Sequence, residues 1–138
     1  MVAMIVSDVV WNAISDWLIA TNPTSFYSDF CWGEAQSALG NRVRRGDFSA
    51  DYAHGLIADF QSYAAQWTFI QVNSADIAHA TVMVSQFSLG LRLPDAIHIA
   101  TSGRLGLTLV STDIRQVRAA ASLGVAAINP LQTDGTPS

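Results

Sequence analysis

The stretch LRLPDAIHIATSGRLGLTLVSTDIRQ, residues 91–116, decides the fold. It contains a helix start at Pro94, then the segment LTLVS, which has the length and composition of a buried strand, and then a second helix start. Each helix start carries an aspartate: Asp95 follows the proline, and Asp113 follows the strand. A helix, a strand and a helix in close succession are typical of α/β proteins.

The rest of the chain repeats this alternation. Helical spacing of apolar residues, with Ser7 as the N-cap, predicts a first helix in SDVVWNAISDWLIAT. Serine caps predict further helices starting at Ser49 and Ser74, the second ending near Gly90. We therefore predict an α/β fold with a largely parallel central sheet and helices on both faces. The other predicted helices cover about 29–45, 94–104 and 114–122, and the predicted strands cover 24–28, 67–72, 107–111 and 125–129.

The composition indicates one compact domain. The chain has 138 residues, of which 50% are hydrophobic and 13% charged, enough for a single core. We expect a domain over residues 1–130 and a flexible polar tail over 131–138. No apolar run approaches the ~20 residues that span a bilayer, and no basic leader precedes Arg42, so we expect a cytoplasmic protein without a membrane segment. The single cysteine, Cys31, excludes an internal disulfide framework.

The basic residues argue against an extended nucleic-acid-binding stripe. The net charge is −4, and all seven basic residues are arginines. A protein that grips duplex phosphates usually carries a polybasic surface. A local cluster such as Arg42, Arg44 and Arg45 could still contact a phosphate backbone, although each arginine taken singly is better explained as a solvated or helix-terminal charge.

Three acidic residues are predicted to meet at one edge of the sheet. In a parallel α/β fold the helix N-termini gather where the strands end, and ligands bind there. Asp95, Asp113 and Glu34 all belong to that edge. Singly, Asp113 could be only a helix cap, Asp95 only a first-turn acid, and Glu34 only a solvated side chain. Together, three carboxylates at close range need a proton or a cation between them, which predicts a Mg²⁺ or Mn²⁺ site.

The histidines do not indicate a zinc site. His54, His79 and His98 lack the spacing of zinc ligands. His98 lies one turn beyond Asp95, and we expect it to pack or hydrogen-bond beneath the acidic site. The sequence contains no glycine-rich phosphate loop and no G-x-S-x-G nucleophile turn.

The same motifs resemble those of PIN-domain ribonucleases, in particular the VapC toxins of bacterial toxin–antitoxin pairs. That family has an aspartate-alanine pair opening a helix, a glycine, a strand and a threonine-x-aspartate at its end. Here these are Asp95-Ala96, Gly106, LTLVS and Ser111-Thr112-Asp113, with serine replacing the usual threonine. The segment YSDFCWGEAQSALGNRVRRGDFSADYAHGLIADF is also similar to the family. It places the family's helix glutamate on Glu34, and the resemblance covers roughly residues 15–130.

The resemblance implies a PIN-like three-layer domain and a function. In this family carboxylates hold one or two Mg²⁺ ions that promote hydrolysis of RNA phosphodiester bonds. It implies that Asp95, Asp113 and Glu34 are the catalytic and metal-binding residues. It also implies a cognate antitoxin as partner and a homodimeric assembly.

The N-terminus departs from the family pattern. PIN domains begin with a strand that ends in an aspartate, but here only fourteen residues precede Ile14. Either the strand survives as AMIVSDVV with Asp8 as its acid, or both strand and acid are lost. The helical spacing of Val10, Ile14 and Trp17 places Asp8 in a first helical turn, which favours the loss.

Three functions remain in consideration. The leading one is a Mg²⁺-dependent endoribonuclease of VapC type, silenced by an antitoxin. The alternative is a truncated, inactive PIN-like module that binds an antitoxin or another subunit. A third, a phospho-accepting receiver domain, also gathers acids around Mg²⁺, but it normally needs a lysine, and this chain has none.

Overall fold

The computed structural model describes residues 2–4 and 11–131, with side chains from residue 16 onward. No helix in these ranges is long and apolar enough to span a membrane. Of the predicted tail, residues 132–138 lie outside the described residues. The strands are β1 (Val2–Met4), β2 (Ser25–Ser28), β3 (Thr68–Ile70), β4 (Thr108–Val110) and β5 (Ala127–Ile128). The helices are α1 (Trp11–Thr21), α2 (Asp29–Arg44), α3 (Ala50–Ala64), α4 (Ser74–Val84), α5 (Leu93–Leu105) and α6 (Ile114–Ser122), with a 3₁₀ turn at Phe87–Leu89.

The five strands form one parallel sheet in the order β3-β2-β1-β4-β5. The chain moves outward from β1 through β2 to β3, crosses back to β4, and continues outward to β5. Because crossover connections between parallel strands are right-handed, the helices of the two halves cover opposite faces of the sheet. The predicted α/β class, with a parallel sheet and helices on both faces, is confirmed.

The preference for a missing first strand is wrong. β1 lies at the centre of the sheet, where Ala3 pairs with Phe26 of β2 and with Leu109 of β4. A strand of three residues is too short to show an alternating pattern. The helical spacing that suggested its loss belongs to α1, which begins only at Trp11. Asp8, the acid proposed for this strand, lies outside the described residues.

Helix α5 is the centre of the core. All its residues from Ala96 to Ser102 are buried, so it is covered on every side, as expected of a helix between a sheet and other helices. It packs along α4, and its apolar residues join those of β4 in one cluster with Leu18 of α1. The stretch 91–116 therefore supplies both the central helix and a neighbouring strand.

The helix caps are mostly those predicted. Ser49 caps α3 by accepting the Tyr52 backbone N–H at 3.0 Å. Helix α4 differs, because Asn73 rather than Ser74 is its cap: Asn73 Oδ1 accepts the Asp76 N–H while Asp76 Oδ2 accepts the Asn73 N–H. The reciprocal pair satisfies two helix-end donors at once, which one serine could not do. The helix also ends earlier than predicted, at Val84.

A buried ion pair joins the start of α4 to the end of α5. Arg104 donates from Nε to Asp76 Oδ1 at 2.8 Å and from Nη2 to Asp76 Oδ2 at 2.9 Å. The same guanidinium reaches the Gln71 carbonyl at 3.0 Å. Burial alone would raise the pKa of Asp76, but the hydrogen bonds from Arg104 and the Asn73 backbone, with the charge of Arg104, lower that pKa below its ordinary value of 3.8.

We predict that Asp76→Asn lowers the free energy of unfolding by about 2 kcal/mol at pH 7, because a charge-assisted bidentate pair is lost. Since the folded-state pKa is lowered, the stabilisation is present above about pH 4 and is lost as the pH falls through the folded pKa. Urea denaturation of parent and variant should therefore differ at pH 7 and converge towards pH 3. The exposed Asp51→Asn is the control, and an equal loss in both variants would contradict the prediction.

Candidate functional site

The carboxyl edge of the sheet contains a topological switch point. The chain leaves β1 towards β2 on one side and later returns to β4 on the other side. In open parallel sheets a crevice forms at such a point, and ligands bind outside the strand ends. Helices α2 and α6 begin directly after β2 and β4, and α5 runs into β4 from the same edge. Glu34, Asp95 and Asp113 therefore all reach the predicted edge.

Asp113 is the N-cap of α6. Its Oδ1 accepts the backbone N–H groups of Arg115 at 3.0 Å and Gln116 at 3.4 Å. Its own N–H donates to the Ser111 hydroxyl at 3.0 Å. The capping role is thus real, and it occupies only one oxygen of the carboxylate.

Gln116 fastens the two acidic helix starts to each other. It is buried, and its Nε2 donates to the Asp95 carbonyl at 3.2 Å. Its Oε1 accepts the Ser111 hydroxyl at 2.6 Å. Because Gln116 also lies in the first turn that Asp113 caps, the first turns of α5 and α6 are held side by side.

Asp95 lies in the first turn of α5 with its side chain 14% exposed. Its Oδ2 accepts the Arg92 backbone N–H at 3.4 Å, and the Arg92 Nε lies 3.7 Å from the same oxygen. The Arg92 side chain is 81% exposed, so this ion pair is weak and free to rearrange.

Glu34 meets His98 across the edge. Oε1 of Glu34 is hydrogen-bonded to Nε2 of His98, a contact between α2 and α5. The Glu34 side chain is 26% exposed and that of His98 only 1%. The expectation that His98 hydrogen-bonds beneath the site is confirmed.

The three acids share one arrangement. Each uses one carboxylate oxygen in a protein contact: Oε1 of Glu34, Oδ2 of Asp95 and Oδ1 of Asp113. The second oxygen of each has no hydrogen-bond partner within the described part of the chain. Hydrogen-bonded carboxylates with a free oxygen suit a hard divalent ion. Among residues 16–131, however, no three acid, histidine or cysteine side chains are close enough together to hold an ion.

Several arginines are already paired. Arg42 and Arg45 lie 3.6 Å and 3.2 Å from Asp47 Oδ2, and Arg104 binds Asp76. This agrees with structural roles for these three. Arg115 is different, because it is exposed and lies in the first turn of α6, two residues from Asp113.

Structural comparison finds the same architecture in toxin–antitoxin complexes. FitAcB from Neisseria gonorrhoeae matches with a TM-score of 0.69 at 15% identity, over 96% of this chain and 99% of that chain. VapBC2 from Rickettsia felis, bound to a DNA fragment from the promoter, matches with a TM-score of 0.63 at 13% identity, over 94% and 98%. A toxin–antitoxin complex from Klebsiella pneumoniae matches with a TM-score of 0.61 at 18% identity, over 94% and 98%.

The chain has a PIN-like fold. The resemblance to VapC-type PIN domains seen in the sequence is thereby confirmed at the level of fold. No family model matches the sequence, and no curated protein matches it either.

The sequence reading missed Gln116, which links the two helix starts of the PIN-like site. A signal was present, since Asp113-x-x-Gln116 has the spacing of a capping box. In that motif the glutamine would bond back to the cap residue, whereas here it bonds to Ser111 and to Asp95. Only the packing of α5 against α6 reveals that use.

We predict that Gln116→Leu lowers the free energy of unfolding by about 2 kcal/mol, because it leaves the Ser111 hydroxyl and the Asp95 carbonyl buried without their partner. Gln36→Leu, at an exposed position of α2, is the matched control and should change stability by less than about 0.5 kcal/mol. Chemical denaturation measures both. Equal stability of the two variants would show that the link between the helix starts contributes nothing.

Proposed function

We propose that this chain is a Mg²⁺- or Mn²⁺-dependent endoribonuclease, the toxin component of a toxin–antitoxin pair. The observation that carries the proposal is the set of three carboxylates, from α2, α5 and α6, at the switch point of a PIN-like fold. Each is tethered by one oxygen and has the other free. The three structural neighbours, all from complexes of this kind, support the proposed biological role.

The carboxylates would bind the ion and orient it. When bound, the metal supplies a water of lowered pKa and stabilises the charge that develops on a phosphate. Asp95 and Asp113 are held side by side through Gln116, so their free oxygens approach from adjacent helices. Glu34 approaches from α2 on the other side of β1. The masked N-terminal segment contains Asp8, which would be a fourth ligand if it reaches this edge.

The surrounding charges favour a phosphate-bearing substrate. Arg92 and Arg115 flank the acids on α5 and α6. Both have exposed side chains, and Arg92 is only weakly paired. A guanidinium can bind two phosphate oxygens at once. We propose that these two arginines hold the RNA backbone while the acids hold the ion.

The decisive test compares two conservative variants with a control. Asp95→Asn and Asp113→Asn remove a charge, but asparagine keeps the helix-terminal acceptor, so both variants should fold like the parent. We expect Mn²⁺ binding by calorimetry and cleavage of a mixed RNA substrate to fall at least about 100-fold in each. Asp51→Asn, an exposed first-turn acid of α3, should retain both activities. Metal-dependent cleavage that persists in both site variants would exclude the proposed site.

A second candidate is an inactive PIN-like binding module. Two observations favour it: the described acids do not form a ready three-ligand group, and large apolar side chains are exposed. Val82 is 60% exposed and Phe87 87% exposed, and residues 77–91 contain no charged side chain. Partner binding without any metal-dependent cleavage would favour this candidate.

The same apolar surface supports the proposed homodimer, because two copies of charge −4 meet most easily over an uncharged surface. We predict that Phe87→Ser raises the dimer dissociation constant at least about tenfold, as loss of an exposed aromatic contact does at interfaces. Sedimentation velocity measures the change. Phe69→Ser, a half-exposed phenylalanine on the edge strand β3, is the control. A parent that is monomeric, or dissociation caused only by the Phe69 change, would refute this interface.

A further inference from the structure

His98 is buried beneath the candidate site. Its side chain is 1% exposed, yet its Nε2 reaches the partly exposed Glu34 across 64 positions of sequence. A carboxylate oxygen can only accept a hydrogen bond when it is ionised, so Nε2 is the donor in this contact. A buried imidazole from α5 thus determines where one oxygen of Glu34 lies.

Helix α2 holds the imidazole by two of its side chains. Phe30 and Glu34 are four residues apart and so lie on the same helical face. The Phe30 ring lies against the imidazole, with 5.3 Å between ring centroids and 52° between planes. The aromatic contact fixes the ring plane, and the hydrogen bond fixes its rotation within that plane.

No other polar group in the described chain holds the ring. Nδ1 of His98 is buried without a hydrogen-bond partner there, and so is Oγ of Ser102, one turn further along α5. Most structural histidines are oriented through their second nitrogen by a carbonyl or carboxylate. Here Glu34 is the polar partner that orients His98, and the two side chains depend on each other.

We propose that His98 is a positioning residue for Glu34. By binding Oε1, it turns the other oxygen, Oε2, towards the edge where Asp95 and Asp113 present theirs. Asp95 and His98 lie three residues apart on α5, so one helix both carries one acid and orients another. This inference rests on the proposed function, since it assigns His98 a part in binding the divalent ion.

The experiment uses two amides that differ by one methylene. In His98→Gln the amide nitrogen lies close to the position of Nε2 and can still donate to Glu34, whereas in His98→Asn it lies near Nδ1 and cannot. Mn²⁺ is titrated calorimetrically into each full-length variant. Removing an outer partner of a ligand usually costs about 10–100-fold in metal affinity, so we expect that loss for His98→Asn and less than about threefold for His98→Gln. Ser102→Ala, on the same helix, should bind like the parent.

A second measurement separates positioning from packing. In a Glu34→Gln background the carboxylate is absent, so His98→Asn should weaken Mn²⁺ binding by far less than it does in the parent. Unfolding in EDTA reports the stability of each variant independently of the metal. Equal losses of Mn²⁺ affinity in both backgrounds, or equal affinities of the asparagine and glutamine variants, would overturn the positioning role.

The outcomes also distinguish the two levels of the argument. If the parent binds Mn²⁺ and Asp95→Asn abolishes binding, but His98→Asn binds like the parent, the proposed site stands and the role of His98 is refuted. If the parent binds no Mn²⁺, the proposed function fails, and the positioning role fails with it.

Discussion

The burial of α5 on every side is the constraint on which the rest of the molecule depends. A helix with no exposed face between Ala96 and Ser102 must satisfy or tolerate every polar group that it carries into the core. Its two ends are secured by polar contacts, to Gln116 at the start and to Asp76 through Arg104 at the end. Its middle carries His98, which reaches the candidate site. One buried element therefore supports both the sheet and the chemistry at its edge.

Much of this architecture follows from local sequence signals. The parallel α/β class, the helix starts at Ser49 and Asp113, and the burial of the LTLVS segment depend on caps and apolar runs, which are local properties. The central strand β1 could not be recognised, because three residues carry no periodic signal and only pairing with β2 and β4 defines them. The cap at Asn73 was missed for a related reason, since its partner Asp76 takes part in a tertiary ion pair.

The candidate site was predictable in its membership and not in its connections. Parallel topology brings Glu34, Asp95 and Asp113 to one edge whatever the details of packing. The partners of those acids come from distant parts of the chain: His98 for Glu34, and Gln116 for the helix start at Asp95. The one feature common to all three, a tethered oxygen beside a free one, needs side-chain geometry. Whether the three free oxygens converge on one ion therefore remains a proposal.

The cap at Asp113 has a consequence for how such a protein can evolve. Because one carboxylate oxygen ends the helix and the other is available to a ligand, a change to asparagine would spare the fold and remove the charge. A lineage could thus lose catalysis in a single step and keep every surface by which it binds a partner. Selection on binding alone would not oppose that step, so nuclease and inactive binding module are neighbours in sequence space.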